Sequence, residues 1–125
     1  MSLAFLYAGQ GSQHPGMGAD LYEAYPEFKA VLDGADVDFD LKTVSFTDPD
    51  GVLNQTEYTQ PCMVAFAAGM TAILYGMGIQ PDYATGLSLG EYSALQAAGV
   101  FTPAQAVSLA AFRGKAMASA AAGMA

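Results

Sequence analysis

The sequence predicts an α/β fold in which a parallel β-sheet is flanked by helices. Two short apolar segments, residues 3–7 and 83–85, have the length and composition of buried strands. Glycine-containing turns follow both of them, and the remaining segments carry helical patterns with recognisable capping residues. Because strands that alternate with helices lie parallel in one sheet, these observations favour a single α/β unit without repeats or linkers.

The first half of the chain is predicted to contain one strand and two helices. The strand leads into a glycine-rich loop, Gly-Gln-Gly-Ser-Gln, at residues 9–13. A helix over residues 18–25 follows, and Pro26 begins a second one that ends at Gly34, because proline suits the first helical position. Residues 33–56 are acidic and rich in turn-forming residues, and no element is predicted there.

The second half is predicted to contain one strand and three helices. The segments are a helix over 60–75, the strand over 83–85, a helix over 89–98 and a last helix that runs toward Ala122. Thr59 is the predicted cap of the long helix, and Gly76 and Gly99 are the predicted stops of the first two helices. Residues 102–105, Thr-Pro-Ala-Gln, form a capping box that begins the last helix.

Composition excludes several classes of function. The chain is 53% hydrophobic but only 13% charged, which excludes a disordered protein, and its net charge of −8 would repel nucleic acid and anionic membrane surfaces. The single cysteine, Cys62, excludes a disulfide framework or a cysteine-rich metal site. With no signal peptide at the N-terminus, the predicted compartment is the cytoplasm.

Two uncharged runs, residues 59–81 and 92–112, have the length of membrane spans. Glycines and polar residues interrupt both runs, and Pro103 breaks the second, so buried helices are the better interpretation.

The charges are distributed unevenly along the chain. Ten of the twelve acidic residues lie between Asp20 and Glu57, whereas residues 58–125 hold only four charged side chains. Helices with so few charges are typical of covered surfaces, so we expect the chain to be a segment of a larger structure.

The pattern Gly-Leu-Ser-Leu-Gly at residues 86–90 lies between a predicted strand and a predicted helix. This is the context of a nucleophile elbow, a tight turn that exposes a strained serine, here Ser88, above the sheet. The backbone N–H of Leu89 would then be the first donor to an oxyanion. The alternative is a glycine-rich turn with an incidental serine.

The loop at residues 9–13 is a second candidate part of the same site. Loops that leave the carboxyl ends of neighbouring parallel strands converge over one crevice. The backbone or amide N–H of Gln10 would therefore complete the oxyanion hole, while Gly9 and Gly11 allow close approach. A phosphate-type or purely structural turn is the alternative.

Arg113 lies on an apolar stripe of the last helix. At helical spacing it shares one face with four apolar residues, namely Ala106, Leu109, Ala110 and Met117. A buried guanidinium needs an anion and can grip a carboxylate through two parallel hydrogen bonds. The alternative is a structural ion pair with Glu91 or another acid.

Taken together, four motifs closely resemble those of malonyl-CoA:acyl-carrier-protein transacylases, in the family's order and spacing. They are residues 3–13, Tyr-Thr-Gln-Pro at 58–61, GLSLGEYSAL at 86–95 and Arg-Gly-Lys-Ala-Met at 113–117. The resemblance implies that Ser88 becomes malonylated and that Gln10 and the Leu89 amide hold the oxyanion. It further implies that Arg113 binds the malonyl carboxylate and that Gln60 lines the same site.

The resemblance also implies the reaction and the architecture. Malonyl would pass from coenzyme A, a co-substrate, to acyl carrier protein in fatty acid biosynthesis, with no cofactor and no metal. The fold would be an α/β-hydrolase-like large subdomain interrupted by a ferredoxin-like small one, and residues 1–125 would be the first segment of the large subdomain. The rest, either in the same polypeptide or as a separate chain, would supply the histidine that activates the serine.

The sequence departs from the family at Leu87, where the family usually has histidine, and we expect altered surroundings of the serine rather than lost chemistry. Two other functions stay open: a serine hydrolase or patatin-like lipase fragment, and a non-enzymatic fragment. His14 is the one histidine of the chain, and we expect it to be an exposed loop residue rather than the base.

Overall fold

The structure is a computed structural model that describes residues 2–123. Within this range it has two strands and six helices. In chain order they are β1 (Ala4–Tyr7), α1 (Ala19–Ala24), α2 (Pro26–Asp33), α3 (Leu41–Phe46), α4 (Thr56–Gly76), β2 (Tyr83–Gly86), α5 (Gly90–Ala97) and α6 (Pro103–Gly123).

The two strands pair in parallel, with Ala4 opposite Tyr83 and Tyr7 opposite Gly86. Helices α1 to α4 form the crossover that a parallel pair requires. Since both strands run in the same direction, the loops that follow them leave the same edge of the sheet. The predicted α/β class, a parallel sheet with flanking helices, is confirmed at this level.

Helix α4 is the centre of the core. Of its 21 residues only Glu57 is charged, so it is apolar on almost every face and packs against both α2 and α6. At the α2 contact, a Cβ atom on Gly69 would lie 2.4 Å from the ring of Phe28, so only glycine allows this approach. The largest fully buried apolar side chains of the core are Phe28, Leu53, Leu89, Val64 and Val107.

Helix α3 corrects the sequence analysis, which predicted no element over residues 33–56. The Asp40 side chain accepts a hydrogen bond from the backbone N–H of Thr43 at 3.2 Å, which is an ordinary N-terminal cap. Leu41 and Val44 are buried one turn apart and attach the helix to the core.

The predicted start of α4 was also wrong. The helix begins at Thr56 rather than Gln60, and Thr59 lies inside its first turn instead of capping it. The Thr59 hydroxyl is turned back to backbone carbonyl groups, at 3.0 Å from that of Gln55. The additional turn places Thr56 and Gln60 on the same face of the helix.

The other predicted elements agree with the structure to within about two residues. The capping box of α6 is present, with Thr102 N–H donating to Gln105 Oε1 at 2.9 Å and Gln105 N–H donating to Thr102 Oγ1 at 3.1 Å. No helix within residues 2–123 is both long enough and apolar enough to cross a membrane. Several large apolar side chains face solvent, among them Phe112, which is 72% exposed on α6.

Candidate active site

The turn between β2 and α5 has the geometry of a nucleophile elbow. Ser88 adopts a φ of 53°, in the left-handed region that side chains other than glycine rarely occupy. A Cβ atom on Gly86 would lie 2.1 Å from the carbonyl carbon of Gly90, and one on Gly90 would lie 2.3 Å from the carbonyl oxygen of Tyr7. The two glycines of the motif therefore let strand, turn and helix come into backbone contact, as a nucleophile elbow requires.

Leu89 anchors the elbow through its side chain and leaves its backbone N–H without an acceptor within residues 2–123. Its side chain is only 2% exposed and packs into the core, whereas Ser88 beside it is exposed. The Leu89 N–H precedes α5 and has no hydrogen-bond acceptor within residues 2–123. A free N–H next to the serine, at the positive end of a helix, is suited to stabilising an oxyanion.

The loop after β1 lies directly against the elbow. A Cβ atom on Gly9 would be 2.7 Å from the carbonyl oxygen of Leu87, so the predicted close approach is present at Gly9. Gly11 differs from that prediction, since the space around it is open and its φ of 124° shows that it serves the turn conformation. Gln10 lies between them, beside the turn that carries Ser88.

Arg113 projects from α6 onto the same turn. Its Nη2 atom lies 3.3 Å from Ser88 Oγ, and its Nη1 atom donates to Gln60 Oε1 at 2.9 Å. The guanidinium carbon is 5.3 Å from the centre of the Tyr92 ring, a cation–π distance. In the described part of the chain the guanidinium makes no ion pair, so the alternative of a pair with Glu91 does not hold.

Gln60 is fully buried, and its amide extends the contacts of Arg113 toward the loop after β1. Gln60 Nε2 lies 3.3 Å from Thr56 Oγ1, and the Thr56 hydroxyl donates to Gln10 Oε1 at 2.7 Å. One hydrogen-bonded chain thus joins Gln10, Thr56, Gln60, Arg113 and Ser88. The structure brings together every site residue predicted from the sequence.

Sequence reasoning missed two members of this constellation, Thr56 and Tyr92. Thr56 precedes Gln60 by four residues in α4, so the two share a face of that helix, and this spacing is the one sequence signal for Thr56. Tyr92 lies in α5 whereas Ser88 precedes that helix, so no helical spacing connects these two residues.

His14 makes no hydrogen bond to Ser88 within residues 2–123. It is exposed, and its Nδ1 atom is 3.3 Å from the carbonyl oxygen of its neighbour Pro15. It borders a cavity of about 440 Å³ beside β1, which neither Ser88 nor Arg113 lines. No cluster of three or more potential metal-ligating His, Cys, Asp or Glu side chains occurs among residues 2–123.

Among residues 2–123, the arrangement combines an exposed serine hydroxyl, an N–H without an acceptor and a guanidinium without a carboxylate partner. A serine so placed can accept an acyl group once a base removes its proton. The guanidinium can hold an anionic end of that group through charge-assisted hydrogen bonds.

Comparison with known proteins agrees with this chemistry. Residues 4–125 match the family model described as "Acyl transferase domain". A Staphylococcus aureus protein named malonyl CoA-acyl carrier protein transacylase is 40% identical over 119 residues, which are 94% of this chain and 38% of that protein.

Two solved structures of similar proteins carry related names. The malonyl CoA-acyl carrier protein transacylase of Clostridium perfringens matches 92% of this chain and 37% of its own, with a TM-score of 0.87 and 38% identity. The second structure is described as a type II PKS acyl-carrier protein in complex with its malonyl-transacylase. The matched chain covers 92% of this chain and 38% of its own length, with a TM-score of 0.85 and 37% identity.

This chain therefore spans about two fifths of the length of the relatives it matches. The family model covers all but the first three residues, and the solved relative from Clostridium perfringens shares the fold over 92% of this chain. The chain belongs to the acyl transferase domain family.

Proposed function

We propose that this chain carries the nucleophile and the carboxylate-binding group of an enzyme that moves a malonyl group from coenzyme A to acyl carrier protein. The observation that carries the proposal is the placement of Arg113, 3.3 Å from Ser88 Oγ and without a carboxylate partner within residues 2–123. An acyl group on Ser88 that ends in a free carboxylate, as malonyl does, has this guanidinium within reach. The names of the similar proteins support the same substrate.

In the proposed reaction, Ser88 Oγ attacks the thioester carbonyl of malonyl-CoA while a base takes the hydroxyl proton. The N–H groups of Leu89 and Gln10 stabilise the oxyanion. The carbon–sulfur bond then breaks, coenzyme A leaves as the thiol with that proton, and malonyl-Ser88 remains. The phosphopantetheine thiol of the carrier protein attacks this ester, its proton returns to the serine oxygen through the base, and the malonyl thioester leaves. Malonyl-CoA is a co-substrate, and the transfer involves no bound cofactor.

We also propose that residues 1–125 form the first segment of an α/β-hydrolase-like large subdomain. The rest of that subdomain, a ferredoxin-like small subdomain and the base would come from residues outside this chain. Two facts support this division: the relatives are more than twice as long, and the one histidine here, His14, makes no hydrogen bond to Ser88 within residues 2–123.

Arg113 argues against the alternative of a serine hydrolase or patatin-like lipase, since neither has a use for a cation that binds a free carboxylate. A similar protein solved in complex with an acyl-carrier protein supports a carrier protein as the acceptor. The remaining alternative, a non-enzymatic fragment, is decided by the intact mass of purified material, which reveals any companion polypeptide.

The central test uses a hybrid enzyme, in which this chain replaces the matching segment of the Clostridium perfringens protein. Incubation with malonyl-CoA should add one malonyl group to Ser88, as read by peptide mass spectrometry, and Ser88→Ala should abolish the label. Cys62 is an internal control, because burial raises the pKa of its thiol to about 11 and keeps it unreactive. Label on Cys62 or Ser12, or label that survives Ser88→Ala, would refute the assignment.

A further inference from the structure

Thr56 occupies an unusual position for a threonine at the start of a helix. It is the first residue of α4, yet its hydroxyl does not cap the helix, and the preceding residue, Gln55, makes no side-chain cap either. Instead the Thr56 hydroxyl lies between two glutamine side chains, 2.7 Å from Gln10 Oε1 and 3.3 Å from Gln60 Nε2. Its one hydroxyl group therefore joins the loop after β1 to the buried face of α4.

The direction of each hydrogen bond in this contact is fixed by chemistry. A hydroxyl has one proton to donate, and Gln10 offers a carbonyl oxygen, so the Thr56 proton goes to Gln10. Its oxygen then accepts from the Gln60 amide N–H. If the Gln60 amide were flipped, two donor groups would face each other at Arg113, and the Thr56 proton would have to serve two carbonyl oxygens.

The same orientation determines what Arg113 meets. With its N–H₂ group on Thr56, Gln60 turns its carbonyl oxygen to Arg113 Nη1 at 2.9 Å, which leaves Nη2 directed at Ser88. The backbone of Thr56 also limits how closely α6 packs, because a Cβ atom on Gly114 would be 2.9 Å from the Thr56 carbonyl oxygen. The backbone of Thr56 therefore contacts Gly114, the neighbour of Arg113. Its side chain contacts Gln60, the hydrogen-bond partner of Arg113.

We propose that Thr56 is a positioning residue, whose hydroxyl orients the Gln60 amide toward Arg113 and ties the carboxylate-binding arginine to the oxyanion loop at Gln10. The inference rests on the proposed malonyl transfer. Thr56 itself does not contact the acyl group, since its hydroxyl is bound to Gln10 and Gln60. It acts through Gln60 on the carboxylate and through Gln10 on the oxyanion.

Thr56→Val keeps the shape of the side chain and removes the hydroxyl. In the hybrid enzyme we expect kcat/KM for malonyl transfer to fall about tenfold, which corresponds to the loss of two neutral hydrogen bonds. Most of the malonyl effect should appear in KM, since Arg113 holds the carboxylate before and during the reaction. Acetyl transfer should fall less, because acetyl has no carboxylate and only the Gln10 contact applies. Thr56→Ser retains the hydroxyl and should restore malonyl transfer.

Thr47→Val is the matched control, since Thr47 is exposed and its hydroxyl donates to the Thr43 carbonyl, away from the site. It should leave transfer unchanged. If Thr56 were merely structural, Thr56→Val would lower malonyl and acetyl transfer by the same factor, in parallel with a lower melting temperature. Thr56→Ser would then make no difference to the ratio of malonyl transfer to acetyl transfer. That result, or a Thr56→Val variant as active as the control, would overturn the inference.

A second measurement separates this inference from the proposed function. In a Gln60→Ala background, Thr56→Val should lower kcat/KM for malonyl transfer by much less than tenfold, because the amide that Thr56 orients is absent. An equal factor in both backgrounds would refute coupling through Gln60. If the folded parent hybrid transfers no malonyl at all, the proposed function fails, whereas a parent that transfers malonyl with no effect of Thr56→Val removes only the role of Thr56.

Discussion

Arg113 differs from the three lysines in the groups that contact its charged end. The chain has four Lys and Arg residues, and the three lysines are all ion-paired, Lys29 and Lys42 with Asp33 and Lys115 with Asp38. Arg113 instead meets an amide oxygen, a hydroxyl and an aromatic ring. A half-buried guanidinium held by neutral groups keeps most of its capacity to bind an anion.

Arg113→Ala should therefore distinguish acyl groups. In the hybrid enzyme we expect kcat/KM for malonyl transfer to fall by about 10- to 100-fold more than that for acetyl transfer, the range for a lost charge-assisted contact. Steady-state kinetics with the two thioesters measures the ratio. Lys115→Ala, two residues away on α6 and paired with Asp38, is the matched control and should leave the ratio unchanged. Equal losses for both substrates would make Arg113 structural.

Local sequence was enough to predict the parts of the site that lie close together in the chain. Ser88 and Leu89 belong to one turn, whose glycines are required by backbone contacts within residues 86–90 and with β1. Thr56 and Tyr92 were missed because what matters about them is a contact with another segment, and a single helix pattern carries no record of its partner. The roles of all five predicted site residues stay predictions, although their positions are compatible with those roles: Ser88, Leu89, Gln10, Gln60 and Arg113.

At the scale of elements, the contact between α4 and α6 determines where Arg113 lies. The two helices form the most extensive contact of the described chain, and their backbones come close at Gly114, the neighbour of Arg113. A Cβ atom there would be 2.9 Å from the carbonyl oxygen of Thr56 and 3.0 Å from the Cα atom of Glu57. Since both are backbone atoms, neither can rotate away.

Gly114→Ala should force the two helices apart. We expect the free energy of unfolding to fall by about 1 to 2 kcal/mol, since overpacking outweighs the gain in helix propensity from alanine. Gly123→Ala is the matched control on the same helix, because its Cβ would meet nothing within 4 Å. Urea unfolding followed by circular dichroism measures both variants. A Gly114→Ala protein as stable as the control would show that the helices can shift without cost.

The errors in predicting elements have local causes. Helix α3 was missed because acidic and turn-forming residues surround it, although Asp40 and Thr43 carry the signature of a cap. The start of α4 was misplaced because Thr59 has the chemistry of a cap, which predicted that the helix begins at the next residue. In the structure the tertiary contact with α6 stabilises one earlier turn, which no local pattern reveals.

At the scale of the whole molecule, a few ion pairs hold separate elements of a strongly acidic chain together. The Asp33 carboxylate at the end of α2 accepts hydrogen bonds from Tyr22 on α1 at 2.6 Å, and from Lys29 and Lys42 at 2.9 Å each. The Tyr22 hydroxyl and then the two lysines hold the pKa of Asp33 well below its usual value of 3.8. One carboxylate thereby links α1, α2 and α3.

The lowered pKa of Asp33 makes a prediction about acid. Its contribution to stability is complete above about pH 4, the unfolded-state value, and is lost as the pH falls toward the lower folded-state value. The difference in unfolding free energy between the wild-type protein and Asp33→Asn should therefore shrink below pH 4. Asp50→Asn, at an exposed aspartate of the loop before α4, is the control. A difference that stays constant from pH 6 to pH 2.5 would contradict this assignment.

We expect residues 1–125 alone not to catalyse malonyl transfer. A serine without a positioned base is a poor nucleophile, and loss of the base in triad-type enzymes costs on the order of 10⁴-fold or more. Transfer assays on the isolated chain, with and without the C-terminal part of the relative, measure the effect, and His14→Ala should change neither result. Turnover by the isolated chain that His14→Ala abolishes would identify His14 as the base after all.

The contact between Gly9 and Leu87 has a consequence for how this region can evolve. The elbow meets the first loop through the Leu87 carbonyl, while the Leu87 side chain is 76% exposed. A saturation library should therefore retain only glycine at positions 9, 86 and 90 but accept many residues at position 87. Selection can therefore vary residue 87 while the turn persists, because the contact of this residue with the first loop is made by its backbone.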